Sequence, residues 1–235
     1  MMLAATISVS AYAKEPTTMS NNENKIVTEN LELTTEWDKT FPKSDKVNHS
    51  KVVFPNRYGI TLAADLYVPK NAMGKLPAIA VCGPFGAVKE QCAGIYAQTM
   101  AERGFITLAF DPSFTGESGG TPRYMTSPDI NTEDFSAAVD FLATNPDVDP
   151  EKIGIIGICG WGGLAINAAA SDPRIKATLA STMYDMSRVN ANGYFDADDS
   201  VEARNALRDR LAAQRTEDYR NGTPKLGGGV PDVLP

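Results

Sequence analysis

Histidine is almost missing from this chain: His49 is the only one in 235 residues. A nucleophile that relies on an imidazole base, or a metal centre built from imidazoles, has that single residue to draw on. Cysteine is scarce too. Cys82, Cys92 and Cys159 are odd in number and none is spaced as a metal-binding pair, which argues against both a disulfide framework and a zinc site. Excess positive charge is also lacking: 22 Lys and Arg against 29 Asp and Glu leave a net charge of −7, with no basic cluster. Such a chain repels phosphate backbones, so nucleic acid is not an expected partner. No apolar run reaches the roughly 18 residues of a transmembrane helix, so no membrane-spanning segment is expected.

What the chain does have is an ordinary globular composition, 43% hydrophobic and 22% charged, enough for one main domain with a substantial core. Residues 1–48 read as a signal-like segment and a flexible lead-in. Met1 to Lys14 is a short apolar run that ends in Ala11-Tyr12-Ala13, an A-x-A cleavage pattern that implies a secreted or periplasmic protein. No Lys or Arg precedes it, and a translation start at Met19 would instead leave the protein cytoplasmic. The stretch from Lys14 to Asn48 is polar and aperiodic, with one short helix expected near 31–37. His49 follows, at a surface or strand-edge position.

Residues 49–185 carry the regular pattern. Val52-Val53-Phe54, a turn at Asn56-Arg57-Tyr58-Gly59, and the run from Thr61 to Pro69 predict an antiparallel hairpin. Short apolar strands then alternate with helices: strands at 78–82, 106–110, 153–158 and 175–181, and helices at 89–103, 132–144 and 163–171. Each strand is apolar along its length, which argues for a mostly parallel sheet covered by helices on both faces. Asp149-Pro150-Glu151-Lys152 reads as a turn. Beyond Tyr184 the alternation stops. Residues 186–235 read as the start of a lid or insertion, with a charged helix at 198–214 and a glycine-rich break from Gly222.

The stretch Ile153 to Ala165 is a buried strand, a glycine-rich turn and a small-residue helix, the local shape of a nucleophile elbow. Its apex can be read in two ways. Small flanks two residues before and after the apex favour Trp161, between Cys159 and Gly163, but an indole cannot attack a carbonyl. Chemistry favours Cys159, because a helix N-terminus lowers a thiol pKa and cysteine depends least on a general base. The N–H of Gly160 and that of Phe85 or Gly86, in the Cys82-Gly83-Pro84-Phe85-Gly86-Ala87 loop, are the candidate oxyanion donors. As an alternative, Cys159 is a packed small residue and the loop a tight turn.

The order of these motifs, Cys82 to Gln91, Gly104 to Ser113, Gly116-Glu117-Ser118-Gly119-Gly120, Pro122-Arg123 and Gly157-Ile158-Cys159-Gly160, resembles the dienelactone-hydrolase-like group of α/β-hydrolases, in its polyketide transferase and hydrolase branch. The resemblance covers Val52 to Gly222. It implies an elbow nucleophile, an oxyanion hole near Phe85, and an acid and a histidine after later strands. The relatives' patterns back both apices: one places a serine where Trp161 stands, and the other has a Cys-Trp-Gly-Gly elbow into which Gly160 would be inserted. Two further strands would be needed to complete such a sheet, so the chain reads as a piece that ends within the lid. Asp111 and Asp185, at strand ends, read as structural. The implied function is a hydrolase or acyltransferase acting on an ester, lactone or thioester, inactive in this piece, with a small-molecule substrate and no cofactor or metal. The alternative is a non-catalytic protein of the same fold that binds an apolar small molecule beneath Trp161.

Overall fold

The structure is a computed structural model that describes residues 26–227. The Ala11-Tyr12-Ala13 pattern and the end of the glycine-rich break lie outside the described residues. Six strands form one sheet in the order β1-β2-β4-β3-β5-β6. The hairpin forms as expected, from β1 (Val47–Pro55) and β2 (Thr61–Pro69). Its turn is closed by Asn56 N–H to Ile60 O at 2.9 Å, and Gly59 at φ 78° supplies the left-handed position. β2 then pairs antiparallel with β4 (Ile106–Phe110), and β4, β3 (Leu76–Cys82), β5 (Val148–Ile158) and β6 (Ile175–Ser181) run parallel.

Two apolar cores flank the sheet, and β3 shows why its sequence is apolar throughout. Ala78, Ala80 and Cys82 face one core, while Ile79 and Val81 face the other. The first core is covered by α2 (Pro128–Thr144) and α3 (Gly160–Ser171), and Phe135, fully buried, meets Phe110 edge-on at 5.3 Å. The second is covered by α1 (Cys92–Ala101). Ala93, Ala97 and Ala101 recur at four-residue spacing, and these small side chains let the helix lie close enough for Thr107 Oγ1 to donate to Ala97 O at 2.8 Å.

Three local expectations are corrected. No helix forms at 31–37; that stretch has no regular structure. Downstream of it the lead-in docks onto α1, where Phe41 is buried against Gly94, Thr40 N–H donates to Glu90 O, and Gln98 bonds both Ser44 and Pro42. Asp149 to Lys152 lies within β5 rather than before it: pairing with β3 passes from Val148 to Ile153, these four residues bulge out, and the Glu151 N–H donates to Asp149 Oδ1 across the local turn. α1 begins at Cys92, not Lys89, because Lys89 is engaged elsewhere. After β6 come α4 (Met186–Asn192) and α5 (Val201–Asn221), which is capped by Ser200 and ended by left-handed Gly222 and has no buried residue. Among the described residues no helix is long and apolar enough to cross a membrane.

Phe135 bridges α2, β4 and α3, so its loss would open a cavity at the centre of the first core. Phe135→Ala is expected to cost about 3–5 kcal/mol, read as a lowered midpoint in urea unfolding.

Candidate active site

β5 ends at Ile158 and α3 begins at Gly160, so a single residue makes the turn between them: Cys159, at φ 59° and ψ −127°. A side chain in that region is strained by roughly 1–3 kcal/mol and persists only where its surroundings fix it. Here the fixing is visible. The Cys159 N–H donates to Ser181 O at the end of β6 (2.8 Å), and its carbonyl accepts from Gly162 N–H (3.0 Å). A Cβ on Gly157 would collide with the Trp161 carbonyl and lie 2.7 Å from Ala165 Cβ, so strand and helix meet there with no space for a side chain.

The two readings of the apex are thereby separated: Cys159 occupies it, and Trp161 lies in the first turn of α3. The steric objection to an indole two residues after the apex is met by Gly83. At φ 107°, its missing Cβ would strike the Ile158 carbonyl and lie 2.9 Å from Trp161 Cβ. Trp161 therefore turns into the first core, 3% exposed, with ring centroids 5.9 Å from Phe85 and 6.3 Å from Phe135.

Pro84 to Ala87 form the turn expected of the β3–α1 loop. Its hydrogen bond runs from Ala87 N–H to Pro84 O at 3.1 Å, with Gly86 at φ 74°, which leaves the N–H groups of Phe85 and Gly86 outside it. Gly160 is the first residue of α3, whose N–H has no partner within the helix. The Phe85 ring lies directly over Gly160, where a Cβ would fall inside it. A cleft of about 900 Å³ opens beside them, walled by Phe85, Gly160, Leu164, Ile166, Met183 and Met186. Of the other thiols, Cys82 is fully buried, which pushes its pKa well up, and burial followed by the nearness of Cys159 raises that of Cys92. Both changes work against the thiolate form.

His49 is not part of this site. It lies on edge strand β1, four strand spacings or about 19 Å from β5, between Trp37 and Tyr67, with Nε2 2.7 Å from Asp65 Oδ1. The strand-edge expectation holds, but the side chain is largely covered. Asp185 caps α4 by accepting from Arg188 N–H, a structural role. Asp111 is also structural, though in an unexpected way. Its carboxylate accepts from the Lys89 N–H and ammonium, both at 2.8 Å, and from the Glu117 N–H at 2.9 Å.

That pair belongs to a buried charge network missed by the sequence reading. The Lys89 ammonium, fully covered, also reaches Glu117 at 2.7 Å and Glu90 at 2.6 Å, while Lys51 binds Glu117 and Lys39 binds Asp65. Burial alone would lower the Lys89 pKa, but Asp111, Glu117 and Glu90 raise it, so the side chain stays charged. Asp38, Glu90 and Glu117 stand close enough together to hold a cation. Lys51 and Lys89 already sit among them and supply that positive charge. The available signal was Lys89-Glu90 entering an apolar helix and Asp111 ending an apolar strand, two charges at positions a core would otherwise fill. A second missed cluster ties the hairpin turn to α2: Asp134, buried, accepts from Asn56, Ser113 and Asn131.

Burial works to raise the Glu117 pKa, yet the bonds from Lys51 and Lys89 lower it from 4.5 to about 2. Its stabilising contribution is present above pH 4.5 and is lost as the pH falls toward 2. Glu117→Gln should melt at a lower temperature at pH 7 and lose less on acidification than the parent, as read by thermal unfolding between pH 7 and pH 2.5. Gly157→Ala should destabilise by about 1–3 kcal/mol, measured by urea unfolding, since a methyl group has no room against the Trp161 carbonyl.

Residues 58–225 match the X-Pro dipeptidyl-peptidase (S15) family. Uncharacterized protein PA2218 of Pseudomonas aeruginosa is 66% identical over 195 residues, 83% of this chain and 52% of that protein. Its crystal structure superposes with a TM-score of 0.81 at 63% identity, over 86% of this chain and 65% of the other. Thiohydrolase aneE of Aspergillus aculeatus is 36% identical over 137 residues, 58% of this chain and 42% of its own length. The α/β hydrolase GrgF from a Penicillium species aligns with a TM-score of 0.63 at 25% identity, covering 76% of this chain and 57% of its own. The chain thus spans about half the length of the curated relatives it matches. The α/β-hydrolase fold expected from the sequence is borne out in the antiparallel hairpin and the mostly parallel sheet with helices on both faces, and the chain belongs to the X-Pro dipeptidyl-peptidase (S15) family, within the α/β-hydrolase superfamily.

Proposed function

We propose that this chain carries the nucleophile and oxyanion donors of a hydrolase or acyltransferase acting on an ester, lactone or thioester. The observation that carries this reading is the Cys159 backbone, held at φ 59° on the single residue between β5 and α3. In this reading the Cys159 thiolate attacks the carbonyl carbon, and the C=O electron pair moves onto oxygen. The resulting oxyanion accepts hydrogen bonds from the Gly160 and Phe85 N–H groups. Collapse expels the alkoxide or thiolate, leaving the acyl group on sulfur until water or another nucleophile removes it. The cleft walls formed by Leu164, Ile166, Met183 and Met186 suit an apolar acyl group. The name of the Aspergillus relative, a thiohydrolase, favours the thioester within that class.

A cysteine is partly ionised near neutral pH and can acylate without a base, whereas deacylation depends on one. His49 is held at the far edge of the sheet, so this chain is expected to acylate and then turn over slowly. Trp161, buried in the first core and outside the apex, lends no support to the non-catalytic alternative. The test is to incubate the chain with an S-acyl N-acetylcysteamine thioester and follow intact mass with peptide mapping. One acyl group should accumulate on Cys159, and Cys159→Ala should lose it. Acylation elsewhere, or unchanged in Cys159→Ala, would refute the assignment.

A further inference from the structure

We infer that Lys89 is a positioning residue for the oxyanion hole: its buried pairing with Asp111 fixes the β3–α1 loop so that the Phe85 N–H meets the oxygen formed at Cys159. This rests on the reading of Cys159 as the nucleophile. The loop from Gly83 to Gln91 has no helix or strand of its own, so its shape is set by where its two ends are held. One end is held at Gly83, whose backbone packs against Ile158 and Trp161 with no space for a side chain. The other end is held at Lys89, four residues beyond Phe85, in two ways. Its N–H donates to Asp111 Oδ1 and its ammonium to Asp111 Oδ2, each at 2.8 Å, so one carboxylate grips both the backbone and the side chain of the same residue.

Asp111 follows directly on β4, the parallel neighbour of β3, so the grip refers the loop to the sheet that also carries the elbow. Glu117 closes the arrangement: its N–H donates to Asp111 Oδ2 and its carboxylate accepts from the Lys89 ammonium at 2.7 Å. Between the two anchors the turn at Pro84–Ala87 takes up the chain, and a second turn, Val88–Gln91, carries Lys89 itself. With Lys89 released, the first turn keeps its own hydrogen bond but loses its fixed place over Gly160. A donor displaced by about 1 Å weakens stabilisation of the oxyanion while leaving the thiol untouched.

That distinction gives the test. Acylation of Cys159 by p-nitrophenyl acetate forms an oxyanion, whereas alkylation by iodoacetamide is a displacement at saturated carbon and forms none. Both rates are measured on the full chain by mass spectrometry, for the parent, Lys89→Met and Lys89→Arg. Lys89→Met should lower the acylation rate at least about tenfold while changing alkylation less than twofold, and Lys89→Arg should recover part of the loss. Because Lys89→Met leaves Asp111 buried without its cation, Lys89→Met/Asp111→Asn is measured beside it and should show the same selective loss if the single variant fails to fold. An unchanged ratio of the two rates, or equal slowing of both, would overturn the positioning role. A parent chain that is alkylated but not acylated on Cys159 would remove the nucleophile reading, and this proposal with it.

Discussion

The close backbone contact between the end of β5 and the start of α3 is the constraint on which the rest of the site depends. Gly157 lets the Trp161 carbonyl approach the strand, and Gly83 lets the next loop approach both. With those two side chains absent, one residue suffices to turn the chain, and that residue takes a conformation non-glycine residues rarely adopt. The consequence is positional. Cys159 is placed at the C-terminal end of the parallel strands, where open α/β sheets bind their ligands, directly before the N-terminus of α3. Trp161 contributes from below, bringing α3 and the Phe85 loop onto a shared aromatic cluster with Phe135.

The charge network on the opposite side of the loop performs a different task. Buried ion pairs add little to stability, since desolvation offsets most of their attraction, but removing one partner is costly. Lys89 and Asp111 therefore act less as a source of stability than as a device that allows one loop geometry. Lys39, Lys51, Asp38, Asp65, Glu90 and Glu117 extend the network from β1 and β2 through the docked lead-in. The lead-in is thus coupled to the same loop, because Thr40 bonds the Glu90 carbonyl next to Lys89.

Much of the fold was legible because strands buried on both faces must be apolar at every position, as in Ala78 to Cys82 and Ile106 to Phe110. The elbow was legible for the same reason, a buried strand that stops at glycines. Its apex was not, because the rule of small flanking residues concerns free space, and the space for Trp161 comes from Gly83, some eighty residues away in sequence. β5 began earlier than its Asp-Pro suggested because pairing with β3 resumes across a bulge. The docking of the lead-in rested on Phe41 and on backbone bonds to α1, features with no periodic signature. Lys89 has no local signature, since nothing nearby in sequence distinguishes a buried lysine from an exposed one until Asp111 and Glu117 are brought around it.

That Cys159 and the two flanking loops form one preorganised acyl-transfer site is our proposal. It is tested most directly by a crystal structure of the chain with an alkyl trifluoromethyl ketone, which forms a stable tetrahedral adduct with a nucleophile. The expected structure has a bond from Cys159 Sγ to the ketone carbon, the alkyl chain in the cleft toward Met183 and Met186, and the adduct oxygen within about 3 Å of the Phe85 and Gly160 N–H groups. A ketone bonded elsewhere, or an adduct oxygen turned away from both donors into solvent, would contradict it.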